Sequence, residues 1–352
     1  MKRIFSFLFA IITLVGTTGV FTSCQEDAAE IDKTIKTDYV TFTAVAAQTL
    51  SYEGSDLQYS TDGTTFLALP ANTPIEFGGN TKLYLRGVNN LDGNFYESEG
   101  YTYGYKISFG NEDVPVACTG DIRTLIDYAT YKTVDTSNAT FTSLFQYCRV
   151  LTSAPALPAT TLADGCYKYM FYACNSLKEA PALPATTLAP DCYNQMFVYC
   201  HSLKEAPALP ATTLADGCYH LMFEYCTSLV NAPELPATTL ADGCYHGMFM
   251  DCTSLVNAPA LPATDLADYC YSNMFARTSL VNAPVLPATT LAPFCYVGMF
   301  SRCTSLVNAP ELPATTLASN CYWLMFSGCT SLEVAPELSA TTLVNACYRN
   351  MF

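Results

Sequence analysis

The sequence predicts an α+β repeat protein, in which a solenoid of about eight 26-residue coils follows a small antiparallel β-sandwich. The motif Cys-Tyr-x-x-Met-Phe occurs eight times after about residue 140, at a spacing of 26 residues apart from one step of 25. Between Tyr39 and Phe109, short alternating apolar runs are separated by turn residues instead. Of the 352 residues, 50% are hydrophobic and 13% are charged, so the chain is too apolar to be disordered.

Residues 1–23 predict a secretory signal peptide. A short basic start precedes an apolar run of about a dozen residues, fewer than the roughly 20 that a transmembrane helix needs. The run leads into Phe21-Thr22-Ser23-Cys24, which resembles the cleavage box of bacterial lipoproteins. That resemblance implies a lipidated Cys24, followed by a polar tether over residues 24–37. An ordinary signal peptide with an incidental cysteine is the alternative.

The β-sandwich is predicted over residues 38–115. Its runs are rich in β-branched and aromatic residues, and Asp62-Gly63 marks a turn between two of them. Residues 116–142 include a helical pattern over 121–128, which we expect to cap the first coil of the solenoid.

Each coil of the solenoid, over residues 143–352, is predicted to combine a short α-helix with a short strand. With the Cys of Cys-Tyr as position 0, positions 0, 1, 4, 5 and 8 hold Cys, Tyr, Met, Phe and Cys, whereas positions 2, 3, 6 and 7 vary. This pattern is typical of an α-helix with one buried face. The segment that follows is rich in Pro and leaves room only for a brief strand. Such coils make a leucine-rich-repeat architecture.

The iterated Met-Phe-x-x-Cys-x-Ser-Leu and Leu-Pro elements resemble the BspA-type leucine-rich-repeat surface lipoproteins of Bacteroidetes. The leading domain is similar to the domain that precedes such arrays, and the acidic residues Glu26, Asp27 and Glu30 resemble their export signal. The resemblance implies an outer-membrane-anchored lipoprotein that faces the cell exterior and binds a host matrix protein or another cell, without enzymatic activity. The 26-residue unit is longer than the family's short unit. The chain stops mid-coil at Phe352 without a polar cap, which indicates a longer chain.

Cysteine dominates the candidate chemistry, because export permits disulfides. Positions 0 and 8 would lie about 12 Å apart on one helix, too far to bridge. The 25-residue coil lacks the second cysteine around Thr278 and yet continues in phase, which favours buried thiols over disulfides between coils. We expect a structural thiol ladder at position 0, formed by Cys166, Cys192, Cys218, Cys244, Cys270, Cys295, Cys321 and Cys347.

Neither a cofactor nor a metal site is predicted. His220 and His246 share position 2 in adjacent coils and should stack, and chance occupation of a variable position explains them better than a metal does. Asp216, Asp242 and Asp268 precede the predicted helix and are expected to cap its backbone N–H groups rather than bind calcium. With no Ser-His-Asp grouping, an enzyme is not expected. The 31 acidic against 16 basic residues disfavour nucleic acid, and the lipid anchor would be the only contact with a membrane.

Two binding hypotheses remain, an adhesin and a glycan-capture accessory protein, beside a purely structural stalk. The predicted strand face repeats the pair Val-Asn, which suits a polymeric ligand or weak multivalent contacts. A ladder of amide hydrogen bonds between coils explains the asparagines nearly as well. The candidate ligand-binding residues are Asn231, Asn257, Asn282, Asn308, Glu234 and Glu311.

Overall fold

Ten of the eleven strands among the described residues precede residue 120. The computed structural model describes residues 38–352 apart from 92–94 and 99–100, so the predicted signal peptide, Cys24 and the tether lie outside the described residues. The strands are β1 (Val40–Ala44), β2 (Gln48–Tyr52), β3 (Leu57–Ser60), β4 (Leu67–Ala68), β5 (Ile75–Phe77), β6 (Leu83–Gly87), β7 (Phe95–Ser98), β8 (Tyr101–Gly104), β9 (Ile107–Phe109), β10 (Val116–Thr119) and β11 (Leu151–Ser153).

These strands form three sheets with the orders β11-β10-β1-β6-β3-β4, β5-β2-β9 and β7-β8. Neighbouring strands are antiparallel, except that β10 and β11 are parallel. Alternate residues of β1, β2 and β6 are buried, as expected where one face of a strand lies in the core. The rings of Phe42 on β1 and Phe109 on β9 lie 5.7 Å apart, so the two larger sheets pack face to face.

The β domain continues directly into the first coil. The predicted boundary at residue 115 falls just before β10, which the structure pairs with β1. The predicted helical cap over 121–128 is reduced to a single 3-10 turn, Ile122–Leu125. β11 belongs to the first coil and extends the large sheet by pairing with β10. Phe42 also contacts Phe145, with 6.3 Å between ring centroids, so the β domain covers the N-terminal end of the stacked coils.

The predicted α+β repeat fold is confirmed only in part: the described residues form a repeat-like, β-rich fold, but the predicted α-helix in each coil is wrong. No α-helix occurs in the part of the chain that the structure describes. Each Cys-Tyr-x-x-Met-Phe segment forms consecutive turns, with a left-handed residue at positions −1, 3 and 7. In one coil these residues are Gly217 (φ 59°), Leu221 (φ 52°) and Tyr225 (φ 57°). We call this part of the coil the turn segment.

Backbone hydrogen bonds show what replaces the helix. N–H groups at even positions donate three residues back within the coil, as from Met222 to the Tyr219 carbonyl at 3.2 Å. N–H groups at odd positions donate to the next coil, as from Phe223 to the Met248 carbonyl at 3.0 Å. An α-helix would use every N–H group for a bond four residues back and leave none for a neighbour. The turn segment therefore bonds to itself and to the next coil with alternate residues.

Two columns of aromatic rings run through the core of the stack. Tyr219 and Tyr245 at position 1 stack with centroids 5.7 Å apart, and Phe223 and Phe249 at position 5 with centroids 5.8 Å apart. Both pairs are nearly parallel, which at this distance is the favoured offset arrangement. The tyrosine column begins at Phe141 and reaches Tyr348, and the phenylalanine column runs from Phe145 to Phe352.

The predicted strand of each coil is mostly shorter than expected. Beyond β11, the described coils are joined on this side only by isolated parallel bridges, such as Asn257 to Asn282 and Asn282 to Asn308. Proline has no N–H group to donate to a sheet, and Pro259 and Pro310 follow these bridges two residues later. The prolines thus limit sheet pairing to single residues.

A substitution at Gly243 tests whether the left-handed turn residues limit stability. Gly243 has φ of 57°, and a Cβ atom built there would meet nothing within 4 Å, so a side chain is disfavoured by the backbone alone. We expect Gly243→Val to lower the free energy of unfolding by about 1–2 kcal/mol in urea denaturation. Gly243→Asn should cost less, because asparagine tolerates this region. Equal losses for the two variants would contradict the backbone explanation.

Candidate functional site

The cysteines at position 0 lie in the core of the stack, and none of the sixteen described cysteines is in a disulfide. All eight members of the predicted thiol ladder, from Cys166 to Cys347, are buried. Burial raises the pKa of Cys218 and Cys295 well above the usual value of a thiol. These groups are therefore protonated at neutral pH and pack as small apolar side chains.

The cysteines at position 8 have a second role, as hydrogen-bond donors between coils. The thiol of Cys226 donates to the Phe197 carbonyl of the preceding coil at 3.0 Å, and other coils repeat this contact. In the 25-residue coil, Thr278 occupies this position and is buried. Its hydroxyl donates to the carbonyl of Phe275 in its own coil at 2.8 Å. The position therefore accepts a small side chain that can donate a hydrogen bond.

The aspartates at position −2 cap backbone N–H groups, but not those of a helix. One Asp216 carboxylate oxygen accepts a hydrogen bond from the Asp242 N–H at 3.2 Å. Asp242 in turn accepts one from the Asp268 N–H at 3.1 Å. The expected helix caps are thus contacts between adjacent coils.

The predicted ligand-binding residues lie in register on one exposed face, which we call the strand face. Asn231, Asn257, Asn282 and Asn308 are exposed, as are Glu234 and Glu311. The Asn308 side-chain amide donates to Asn282 at 3.1 Å, the one amide contact between coils in this described column. The strand face therefore combines exposed side chains with the start of an amide ladder.

Glu234 and Glu311 line grooves between neighbouring coils of the strand face. The groove at Glu234 has a volume of about 400 Å³ and is walled by Pro210, Pro233 and Pro236. The groove at Glu311 has about 700 Å³ and similar proline walls. Both grooves follow from the Leu-Pro segment of the repeat, so the carboxylates stand beside rigid apolar walls.

A group of tyrosines on the opposite, turn side of the coils was missed by the sequence analysis. We call Tyr147, Tyr172, Tyr199 and Tyr225 the tyrosine strip. Ring centroids along it are 5.6, 5.6 and 4.7 Å apart. Tyr172 stands nearly perpendicular to both neighbours, at 76° and 78°, whereas Tyr199 and Tyr225 stack at 16°. The signal was available, because positions 6 or 7 hold tyrosine in four successive coils and in no later one.

Charged residues adjoin the end of the tyrosine strip. The Arg277 guanidinium forms two bonds to the Asp251 carboxylate, at 2.7 and 2.6 Å. Glu224 is half-buried and forms no ion pair among the described residues. Burial, and secondarily the charge of Asp251, raise the pKa of Glu224 to about 7, with Arg277 acting in the opposite direction.

A polar column occupies position 2 of the first coils. The ammonium group of Lys168 contacts the Asp191 carboxylate at 2.8 Å, and the Asn194 amide donates to the same carboxylate at 2.7 Å. The rings of His220 and His246 stack at 4.6 Å, with a tilt of 31°. Burial lowers the pKa of both, most for His246, which also feels the charge of His220 and falls to about 4.

Within the described ranges, no group of three or more His, Cys, Asp or Glu side chains could hold a metal ion. In the same part of the chain, no helix has the length and apolar character needed to cross a membrane. Comparisons with protein-family models, curated proteins and solved structures gave no match to this chain.

Thiol labelling tests the burial of the cysteines. In the native protein at mildly alkaline pH, we expect an aromatic disulfide reagent to leave the described cysteines almost unmodified, apart from slow reaction at half-buried Cys329. Unfolding in denaturant without a reductant should expose all sixteen of these thiols, in addition to that of Cys24 where this residue is not lipidated. Rapid native labelling of several cysteines, or a deficit after unfolding, would contradict buried free thiols.

The histidine pair predicts a loss of stability in acid. Because the folded-state pKa of His246, about 4, lies below the unfolded value of 6.5, the unfolded chain binds more protons below about pH 6.5. The free energy of unfolding should therefore fall by about 2 kcal/mol as pH drops from 6.5 to 4. His220→Gln with His246→Gln should remove this part of the pH dependence, measured by denaturation across pH. His201→Gln serves as the control, and an equal effect there would refute the assignment.

Proposed function

We propose that the protein is an exported, lipid-anchored surface protein that binds an extracellular ligand, a host matrix protein or another cell, through its stacked coils. The signal-like residues 1–23 and the lipoprotein-like box ending in Cys24 support export and anchoring to the outer membrane. The resemblance to BspA-type surface lipoproteins supports adhesion as the role. No catalysis is part of the proposal.

The proposal treats the stack as a leucine-rich-repeat solenoid in which the turn segment takes the place of the helix. Support comes from the 26-residue period and from the leucine that follows each Cys-x-Ser or Thr-Ser element. Leu203, Leu229, Leu255, Leu280 and Leu306 occupy this position and are fully buried. Such an interior leaves the strand face free to present side chains outward.

The observation that carries the proposal is the register of the exposed residues on the strand face. Asn257, Asn282 and Asn308 follow one another on parallel bridges, so each exposed side chain has an equivalent one coil away. Val256 and Val281 lie beside them and are 40% and 42% exposed. A regular row of equivalent groups suits repeated weak contacts, which together give strong binding.

The same regularity supports a second candidate function, capture of a repetitive glycan. Grooves at Glu234 and Glu311 recur in the same place of different coils, with proline walls beside a carboxylate. A polymer whose units repeat could place equivalent groups in successive grooves. The nature of the best ligand separates the two functions.

A binding array tests the proposal. We expect the secreted chain carrying Cys24→Ser, which cannot be lipidated, to bind extracellular-matrix proteins on an array that also holds polymeric glycans. Replacing the four strand-face asparagines together with Ala should weaken that binding by about fivefold or more and leave the melting temperature nearly unchanged. The four variant sites are Asn231, Asn257, Asn282 and Asn308.

A matched control replaces four exposed threonines of the following loop with Ala, at Thr212, Thr238, Thr289 and Thr315. Binding only to glycans would favour the second function. Absence of binding to every protein and glycan on the array would refute both candidate functions. Unfolding of the asparagine variant would show that those amides are a structural ladder.

A further inference from the structure

We propose that Glu224 and the tyrosine strip bind a basic side chain, lysine or arginine, of a partner polypeptide. This inference rests on the proposed function and names the chemistry of one contact. It places that contact on the turn side of the coils, away from the strand face.

An ion pair within the chain already shows a basic side chain bound next to the tyrosine strip. Asp251 follows Tyr225 by one coil at the same position, and Arg277 follows Asp251 by one more. The guanidinium of Arg277 binds both oxygens of the Asp251 carboxylate, whose side chain is only 12% exposed. Two-pronged contacts of this kind are among the strongest charge-assisted hydrogen bonds. This corner of the coil therefore accommodates a guanidinium against a carboxylate.

Glu224 belongs to the coil before Asp251, and the charges of Asp251 and Arg277 both act on it, but Arg277 forms its ion pair with Asp251 and not with Glu224. Glu224 precedes Tyr225 in the chain, and its charge is felt by Tyr172 and Tyr199, whose pKa values are raised chiefly by burial and then by neighbouring tyrosines and Glu224. No described lysine or arginine pairs with Glu224. A half-buried carboxylate without a partner is costly, and a bound cation would relieve that cost.

The tyrosine rings add a second attraction for a cation. On this side of the molecule, the ammonium groups of Lys106 and Lys168 already lie 6.0 and 5.7 Å from the ring centroids of Tyr147 and Tyr169. Cations are drawn to ring faces at such distances. Tyr172 meets Tyr147, Tyr169 and Tyr199 at steep angles, and it is only half-buried, so part of this group of rings is accessible to solvent.

The overall charge favours the same class of partner. With 31 acidic and 16 basic residues, the chain carries a formal net charge of −15. This field steers basic polypeptides toward the protein and repels polyanions. Diffuse attraction alone would be weakened equally by the loss of any one acidic residue. The test therefore compares the loss of Glu224 with the loss of an exposed glutamate elsewhere.

The experiment measures binding of hexa-arginine, hexa-lysine and hexa-glutamine peptides, and of neutral dextran, to the full chain by titration calorimetry in buffer of physiological salt. We expect both basic peptides to bind and the two neutral probes not to. Glu224→Gln should weaken hexa-arginine binding by about tenfold or more. Tyr199→Leu should weaken it by about threefold. Glu205→Gln removes the same charge from the exposed strand face and should change the affinity by less than about twofold.

Equal losses for Glu224→Gln and Glu205→Gln would reduce the effect to diffuse attraction and overturn the inference. So would absence of basic-peptide binding, or binding of dextran instead. Melting temperatures check folding, and Glu224→Asp, which keeps the charge, should retain most of the affinity if the amide variant is unstable. Array binding that Glu224→Gln leaves intact would sink this inference while the proposed function stands. If the chain that carries only Cys24→Ser binds nothing on the array, the proposed function is refuted instead.

Discussion

The stacked coils depend on how their backbone N–H groups are divided between hydrogen bonds within a coil and hydrogen bonds to the next coil. Even-numbered positions close turns within a coil, and odd-numbered positions reach the next coil, as Met222 and Phe223 do side by side. This division requires a left-handed residue at every fourth place, which is unfavourable for a residue such as Leu221. The bonds to the neighbouring coil and the stacked rings offset that cost. Because no coil satisfies its own donors, a coil is stable only beside others.

The sequence predicted the repeat and its buried positions, but not the local conformation. Burial at positions 0, 1, 4, 5 and 8 fits a period of 3.6 residues and a period of 4 almost equally well, because the two differ by less than one residue over two turns. The variable positions held the missing signal. Of the 23 left-handed residues at positions −1, 3 and 7 of the eight motif copies, 11 are Gly, Asn or Asp. Tyr225 and Leu221 obscured it, since such residues rarely adopt this region.

Of the two candidate sites, the strand face could be predicted from the sequence and the tyrosine strip could not. The exposure and register of Asn282 and Asn308 could be predicted from the repeat, because identical residues in identical coils must align. The tyrosine strip could not, because Tyr172 and Tyr199 occupy different positions of their coils, 6 and 7, and only the turn geometry brings their rings to 5.6 Å. Deviations from a uniform repeat are therefore more informative about specific contacts than the repeat itself. The thiols of position 8 have a structural role, because those of Cys226 and Cys252 each donate a hydrogen bond to a backbone carbonyl of the preceding coil.

The direction of the bonds between turn segments gives the stack an electrical polarity. In the coil of Cys218, five N–H groups, those of Gly217, Tyr219, Leu221, Phe223 and Tyr225, all donate toward the following coil. The same arrangement recurs along the stack, so these peptide dipoles add instead of cancelling. Aligned peptides in an α-helix leave about half a unit charge at each end. On the turn side of this protein, the partial positive end points toward the last coil and the partial negative end toward the β domain, opposite to the sense along a helix.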